Sequence, residues 1–302
     1  MRLFCISTGF NIFIAFILVL FLSSCSKNYY SVIWSSPEQG WTSGVEGPAT
    51  DSKGNVYAVN FKEQGTIGII SEEKKGQIFV RLPEGSIGNG IRFNESGNFY
   101  VVDYAKHNVL EVNIQTKEIT VYAHDNQMNQ PNDLAIAKNG QLFLSDPNWK
   151  ESTGNIWRVD RDGSIHLLDS NMGTTNGIEV SPDENKLYVN ESVQRNVWVY
   201  DLSSSGNISN KRLLRKFQDH GMDGMRCDVK GNLYVTRHGK GTVAILSPDG
   251  TLLEEVKLTG QNPTNITFGG SDGKKCYVTL ADKGNIESFR SKIRGRETAW
   301  IR

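Results

Sequence analysis

Cysteine, histidine and net charge are all scarce in this 302-residue chain, and each shortage removes a class of explanation. Of four cysteines, Cys5 and Cys25 fall in the first 25 residues, which leaves Cys227 and Cys276 as the one pair that could bridge. Each sits inside an apolar strand pattern and reads more readily as a buried small hydrophobe. Of five histidines, His107, His124 and His166 carry no pattern beyond a surface or structural role. Basic and acidic residues balance at 33 each with no basic stripe, which argues against a nucleic-acid partner. The chain also lacks any stretch with the 3.6-residue apolar period and length of a stable helix, and no low-complexity linker divides it.

Long hydrophobic runs are missing too, with one exception at the N-terminus. Arg2 precedes an almost unbroken apolar stretch from Phe10 to Leu22, followed by Leu22-Ser23-Ser24-Cys25. This resembles a bacterial lipoprotein signal over residues 1–24, with acylation at Cys25. An ordinary secretory signal or a short membrane span is the alternative, but the run is too short for a comfortable transmembrane helix. Acyl chains on Cys25 would tether the following domain to a membrane of the cell envelope. Ser26 does not resemble an inner-membrane retention signal, so the expected location is the outer membrane, facing the periplasm. Residues 25–302 are expected to form one large β domain, as a monomer.

What is abundant is the β-hairpin. Turns such as Ser52-Lys53-Gly54-Asn55, Glu95-Ser96-Gly97-Asn98 and Lys230-Gly231-Asn232 each precede a β-branched and aromatic run with period-two alternation, for example Asn55-Val56-Tyr57-Ala58-Val59 and Leu233-Tyr234-Val235. The hairpins repeat. Glu46, Asn89, Asn132, Asn176, Asp223 and Asn265 open successive units at separations of 43, 43, 44, 47 and 42 residues. In a β sequence that period means propeller blades, and the expected fold is an all-β, six-bladed β-propeller. The last unit is one strand short, and Tyr30 to Ser35 has no partner of its own; it is expected to pair with the final blade and close the ring.

Within each unit the step from opener to closer is nearly constant. Asn60, Asp103, Asp146, Glu191, Arg237 and Thr279 follow their openers by 14, 14, 14, 15, 14 and 14 residues. Openers and closers therefore share one face, with the glycine turns on the other. Six oxygen-bearing openers brought round one axis, with no His or Cys among them, suit a hard cation such as Ca²⁺ and disfavour zinc. Taken singly, each reads more readily as satisfying turn backbone, and it is the six in phase that shift the balance toward a cation.

The runs VEGPATDSKGNVYAVN (45–60), QPNDLAIAKNGQLFLSDP (130–147), TNGIEVSPDENKLYVNES (175–192), MDGMRCDVKGNLYV (222–235) and PTNITFGGSDGKKCYVT (263–279) resemble the senescence marker protein 30/gluconolactonase family of six-bladed lactonases, and most of all its bacterial gluconolactonase branch. The resemblance implies metal ligands at Glu46, Asn132, Asn176 and Asp223, and opening of a small-molecule lactone or ester at a divalent ion, usually Ca²⁺. It also implies Asp223 as general base, or as nucleophile in some relatives. Asp133 is expected to brace the ring, and Asp146, Glu191 and Asn265 to orient ligands from behind. Gln130, Trp149, Arg237 and His238, with His220, are expected at the substrate entrance, Trp149 as part of a lid over Asn148 to Lys150. One position departs from the family pattern: Gln130 stands where sugar-lactone members commonly carry an Arg, and a neutral amide cannot make the bidentate contact of a guanidinium. The competing reading is a non-catalytic propeller binding a glycan or protein partner around a structural ion. A strictosidine synthase-like condensing enzyme is a weaker third, for want of an isolated Glu in an aromatic pocket.

Overall fold

A computed structural model describes residues 29–71, 73 and 75–297. The expected signal segment and Cys25 lie outside the described residues.

The hairpins assemble into six antiparallel sheets whose order follows the chain. Blade 1 comprises Trp41–Thr50, Val56–Phe61, Thr66–Ile70 and Gly76–Arg81. Blade 2 comprises Gly88–Phe93, Phe99–Asp103, Asn108–Val112 and Ile119–His124. Blade 3 comprises Leu134–Ile136, Leu142–Asn148, Thr153–Val159 and Ile165–Met172. Blade 4 comprises Thr175–Val180, Lys186–Glu191, Asn196–Leu202 and Ile208–Lys216. Blade 5 is built on Met225–Cys227, Leu233–Arg237, Thr242–Leu246 and Leu252–Lys257, and blade 6 on Pro263–Gly269, Lys275–Leu280 and Asn285–Arg290. This is the six-bladed propeller expected from the period. Its one helical piece among the described residues is the short 3-10 turn Pro37–Gln39.

Burial grades from the axis outward. Every residue of the inner strands Thr175–Val180 and Pro263–Gly269 is buried, whereas the outer strand Ile208–Lys216 is largely exposed. The apolar cores lie between blades, where sheet faces meet. Tyr57, Phe79, Phe93 and Phe99 join blades 1 and 2, with Tyr57 edge-on to Phe79 and Phe93 at 5.2 Å between ring centroids. Cys227 and Cys276 are unpaired and buried, as their apolar strand setting implied.

The missing strand of blade 6 is supplied by Val32–Ser35, antiparallel to Asn285–Arg290. Trp34 packs edge-on against Tyr277 at 4.9 Å, and the Trp41 indole donates to the Ser35 hydroxyl at 2.9 Å. One detail differs from expectation. Tyr29–Tyr30 does not join blade 6 but adds a parallel fifth strand to blade 5, alongside Val256 and Lys257. Ser31 turns between the two, its amide donating to the Lys257 carbonyl and its hydroxyl to Glu287. The N-terminal segment is thus a clasp over two blades.

The segment after the last strand, residues 291–297, crosses the glycine-turn face beneath the axis. Val229 donates to the Arg294 carbonyl at 3.0 Å, and the Arg296 amide to the Cys227 carbonyl at 2.9 Å. The Arg296 guanidinium reaches the Ile136 carbonyl at 3.0 Å and Glu179 at 3.3 Å, and also pairs with Glu184. Blades 3, 4 and 5 are fastened together from below.

Candidate functional site

At the opposite face, the inner strands begin beside one another. Glu46 lies in an irregular stretch of its strand, where pairing shifts on both sides of its register partner Val59. Its carboxylate accepts from the Gly47 amide and from Asn265 Nδ2 at 3.2 Å. Asn132 is held through its backbone: its amide donates to the Ser145 carbonyl at 2.8 Å, and its carbonyl accepts from Gly90 at 2.9 Å. Asn176 is held through its side chain, with Nδ2 donating to Ser192 Oγ at 3.0 Å. Asp223 sits at the start of blade 5, its amide bonded to the Thr236 carbonyl at 3.1 Å. Neighbouring inner strands approach closely here: at Gly177 a Cβ would lie 2.6 Å from both Asn190 Nδ2 and the Asp223 carbonyl, so only glycine fits.

The electrostatics of this end are unbalanced. Burial, with the Asp133 charge adding, pushes the Glu46 carboxyl up to about 7. Burial and then the charge of Glu46 push Asp223 well above the ordinary carboxylate range, while the Asn176 side chain and the Gly224 amide pull it down. Asn132 Oδ1 and Asn176 Oδ1 are buried and accept no hydrogen bond. An unsatisfied buried carbonyl is destabilising. Two such oxygens at the same end as two carboxyls that resist ionisation fit a hard divalent cation, which takes amide and carboxylate oxygen together. Among the described residues no three His, Cys, Asp or Glu side chains gather as a metal group; the donors here are two acids and two amides.

Two cavities open onto this end. One of ≈ 420 Å³ is bordered by Asn176, Ser192, His220, Asp223 and His238, and one of ≈ 270 Å³ by Asn89, Tyr104, Gln130 and Asn132. Trp149, 44% exposed, borders both and divides the entrance. His238 is half-buried, and burial lowers its pKa, so it is neutral at physiological pH. Trp149, His220 and His238 border the first cavity, and Gln130 and Trp149 the second. Glu46 borders neither of these two cavities.

Arg237 requires correction. It is fully buried, bonded to the Asp219 carbonyl at 2.5 Å and carboxylate at 2.8 Å, and stacked 3.6 Å from the Phe217 ring centre. It borders neither of these two cavities and pins the loop that carries His220. Asp146 and Glu191 are corrected in part, since neither meets a ligand side chain. Asp146 accepts from the backbone amides of Asn129 and Gln130, at 2.8 and 2.7 Å, and from the Trp157 indole. Glu191 accepts from the Gly173 amide at 2.7 Å and from Asn196. Both shape the loops leading into Asn132 and Asn176. Asp133 is wholly buried and pairs with Arg92 at 3.1 Å and Arg226 at 3.4 Å.

Three residues of the site went unread in the sequence. Ser192 fixes the Asn176 amide so that its oxygen is the free end. Asn190 donates to the Asp223 carbonyl at 2.7 Å and keeps its own Oδ1 buried and unpaired. Arg226 reaches Asn265 Oδ1 at 3.2 Å. A signal existed for the last. Arg92, Glu179 and Arg226 each stand three places after an opener, as lone charges inside apolar strands.

The family profile described as SMP-30/Gluconolactonase/LRE-like region matches residues 44–282. A gluconolactonase of Zymomonas mobilis is 29% identical over 68% of this chain and 64% of its own length. A diisopropyl-fluorophosphatase of Loligo vulgaris is 24% identical over 84% of this chain and 91% of its own. This chain thus spans a little under two thirds of the Zymomonas relative. Among solved structures, a calcium-binding protein, regucalcin, of Agrobacterium tumefaciens superposes with TM-score 0.76 at 18% identity, covering 89% of this chain and 95% of that one. A gluconolactonase of Xanthomonas campestris superposes with TM-score 0.72 at 18% identity, covering 86% and 88%. These two likenesses concern the fold.

Proposed function

The chain belongs to the SMP-30/gluconolactonase/LRE-like family, and on that premise we propose that it is a divalent-cation-dependent hydrolase that opens a lactone ring. The observation that carries this reading is the pair of buried, unbonded amide oxygens of Asn132 and Asn176 at the same end as two carboxyls held above their ordinary range. Glu46, Asn132, Asn176 and Asp223 would hold the cation, with Asn190 Oδ1 close behind. Ca²⁺ is favoured by the all-oxygen donor set and by the regucalcin relative named as calcium-binding. Once bound, such a cation supplies Lewis-acid polarisation of the substrate carbonyl and stabilises developing negative charge.

The protein's own groups do the rest. Asp223 borders the larger cavity, and its carboxylate takes a proton from the attacking water as that water's oxygen bonds to the lactone carbonyl carbon. The ring C–O bond then breaks, and the departing alkoxide collects the proton. Trp149 roofs the junction of the two cavities and limits water entry. The Gln130 amide offers neutral hydrogen bonds to substrate oxygens, which favours an uncharged lactone over one recognised through a carboxylate.

The test is hydrolysis by the purified domain, with Ca²⁺ and then with EDTA, across aldonolactones, acyl-lactones and aryl esters. Chelator-sensitive turnover of at least one lactone is the expected result; inertness across the panel sinks it. Gln130 also favours a second reading, a scaffold that binds a glycan or envelope partner around a structural ion. In that case Ca²⁺ raises the melting temperature and nothing turns over. A phosphotriester belongs on the panel because one relative is named a diisopropyl-fluorophosphatase. We further propose attachment to the outer membrane through acylated Cys25, which metabolic labelling with palmitate, lost in Cys25→Ser, would test.

A further inference from the structure

Behind the four proposed ligands the axis holds buried Arg, Asp and Glu side chains, and one chain of contacts runs from the C-terminal segment to Glu46. Glu297 accepts from Thr267 Oγ1 at 2.8 Å and the Phe268 amide at 3.1 Å, both on blade 6. Its other oxygen faces Arg226 Nε at 3.6 Å. Arg226, 1% exposed, donates to the Met225 carbonyl at 2.8 Å and to Asn265 Oδ1 at 3.2 Å. Asn265 Oδ1 also accepts from the Ile266 amide at 2.9 Å, so both its lone pairs are used. The amide nitrogen of Asn265 is left to face Glu46 at 3.2 Å.

This geometry explains why Asn265, in phase with the other openers, does not offer its oxygen to the ring. A guanidinium only donates, and a carboxylate only accepts. Between Arg226 and Glu46 the Asn265 amide has one orientation that satisfies both neighbours. The reverse orientation would set donor against donor and acceptor against acceptor.

We propose that Arg226 is a positioning residue for Glu46, and that Glu297 of the C-terminal segment holds it back from Glu46 itself. The inference rests on the reading of Glu46 as a cation ligand. A guanidinium is the strongest rival a cation could have for that carboxylate. Asp133, already paired with Arg92, and Glu297 anchor the guanidinium on the distal side of Asn265. Arg296 in turn fixes the segment that carries Glu297, through the Ile136 carbonyl, Glu179 and Glu184. The distal segment thereby bears on a site at the other face, through a single intervening amide.

The test is a double-mutant cycle on the purified domain, read by Ca²⁺ titration calorimetry and by melting temperature with and without Ca²⁺. Glu297→Gln keeps the acceptor for Thr267 and Phe268 while removing the charge that restrains Arg226. The expected result is Ca²⁺ affinity lower by about tenfold, the scale of one charged contact, with kcat falling more than KM rises. Arg226→Met removes the competitor and leaves Asp133 its Arg92 partner. In that background Glu297→Gln should change Ca²⁺ affinity by less than about twofold. Wild-type-like binding by Glu297→Gln overturns the inference, as does an equal loss in both backgrounds, which marks a structural effect only. Wild-type protein that binds no Ca²⁺ overturns the cation reading itself, and this inference with it.

Discussion

The side-chain amide of Asn190, on the second strand of blade 4, donates to the backbone carbonyl of Asp223 at the start of blade 5, at 2.7 Å. It ties a proposed ligand to the neighbouring blade rather than to its own. Asn190→Ala would leave the Asp223 carbonyl without its donor. The expected loss is about 1–3 kcal/mol of unfolding free energy by urea titration, together with weaker Ca²⁺ binding. Unchanged stability and affinity would remove the tie from the account of the site.

Asp223→Asn separates chemistry from folding. The amide can still offer an oxygen but cannot take a proton. Turnover should fall by about 10²–10⁴-fold, while the melting temperature measured in EDTA stays level or rises, because one of two mutually unfavourable carboxyls is gone. Activity equal to wild type would eliminate Asp223 as the base.

The same pair of carboxyls predicts an unusual pH response. Glu46 is raised from 4.5 to about 7, so the folded state binds protons more tightly than the unfolded chain. Stability gained from this group is fully present below pH 4.5 and is lost as pH rises through about 7. Asp223 shifts in the same direction. In EDTA the melting temperature should therefore decline from pH 5 to pH 8, and saturating Ca²⁺ should flatten the decline. Asp219, held down to about 2 by Arg237, works oppositely, but only below the ordinary Asp value of 3.8. A flat profile in EDTA would contradict the proposed imbalance.

The N-terminal clasp can be weakened by one substitution. Trp34 is 5% exposed and packs on Tyr277; Trp34→Ala should cost about 3–5 kcal/mol, and deletion of residues 29–36 should destabilise the whole ring. Both are read by chemical denaturation. A deletion variant with the wild-type midpoint would mean that closure does not depend on the clasp.

Substrate preference can be probed at Gln130. Gln130→Arg places a bidentate donor on the wall of the smaller cavity. It should lower KM for aldonolactones with several hydroxyls, relative to simple acyl-lactones, without altering Ca²⁺ affinity. An unchanged ratio of KM values would take position 130 out of substrate contact.

How far the sequence could be read depended on whether a residue acts within its own blade. The openers and the glycine turns follow a period and were legible, and the surplus N-terminal strand followed from the one missing in the last unit. Arg237 misled because it sits in phase with Asp146 and Glu191, yet its guanidinium turns onto Phe217 rather than toward the entrance. Asn190 and Ser192 were hidden by their neighbour Glu191, the in-phase closer. The Glu297–Arg226–Asn265 chain was beyond reach, since it joins blade 5, blade 6 and the C-terminal segment at positions no repeat relates.

Ser31 bonds to Glu287, 256 positions further along the chain. The first two described strands, Tyr29–Tyr30 and Val32–Ser35, must therefore wait for blades 5 and 6 before they find partners. Contacts this remote slow folding and leave an unpaired edge open to other chains in the meantime. Maturation of this protein should be limited by that final joining, and a helper that shields residues 29–35 until blades 5 and 6 arrive would raise its yield.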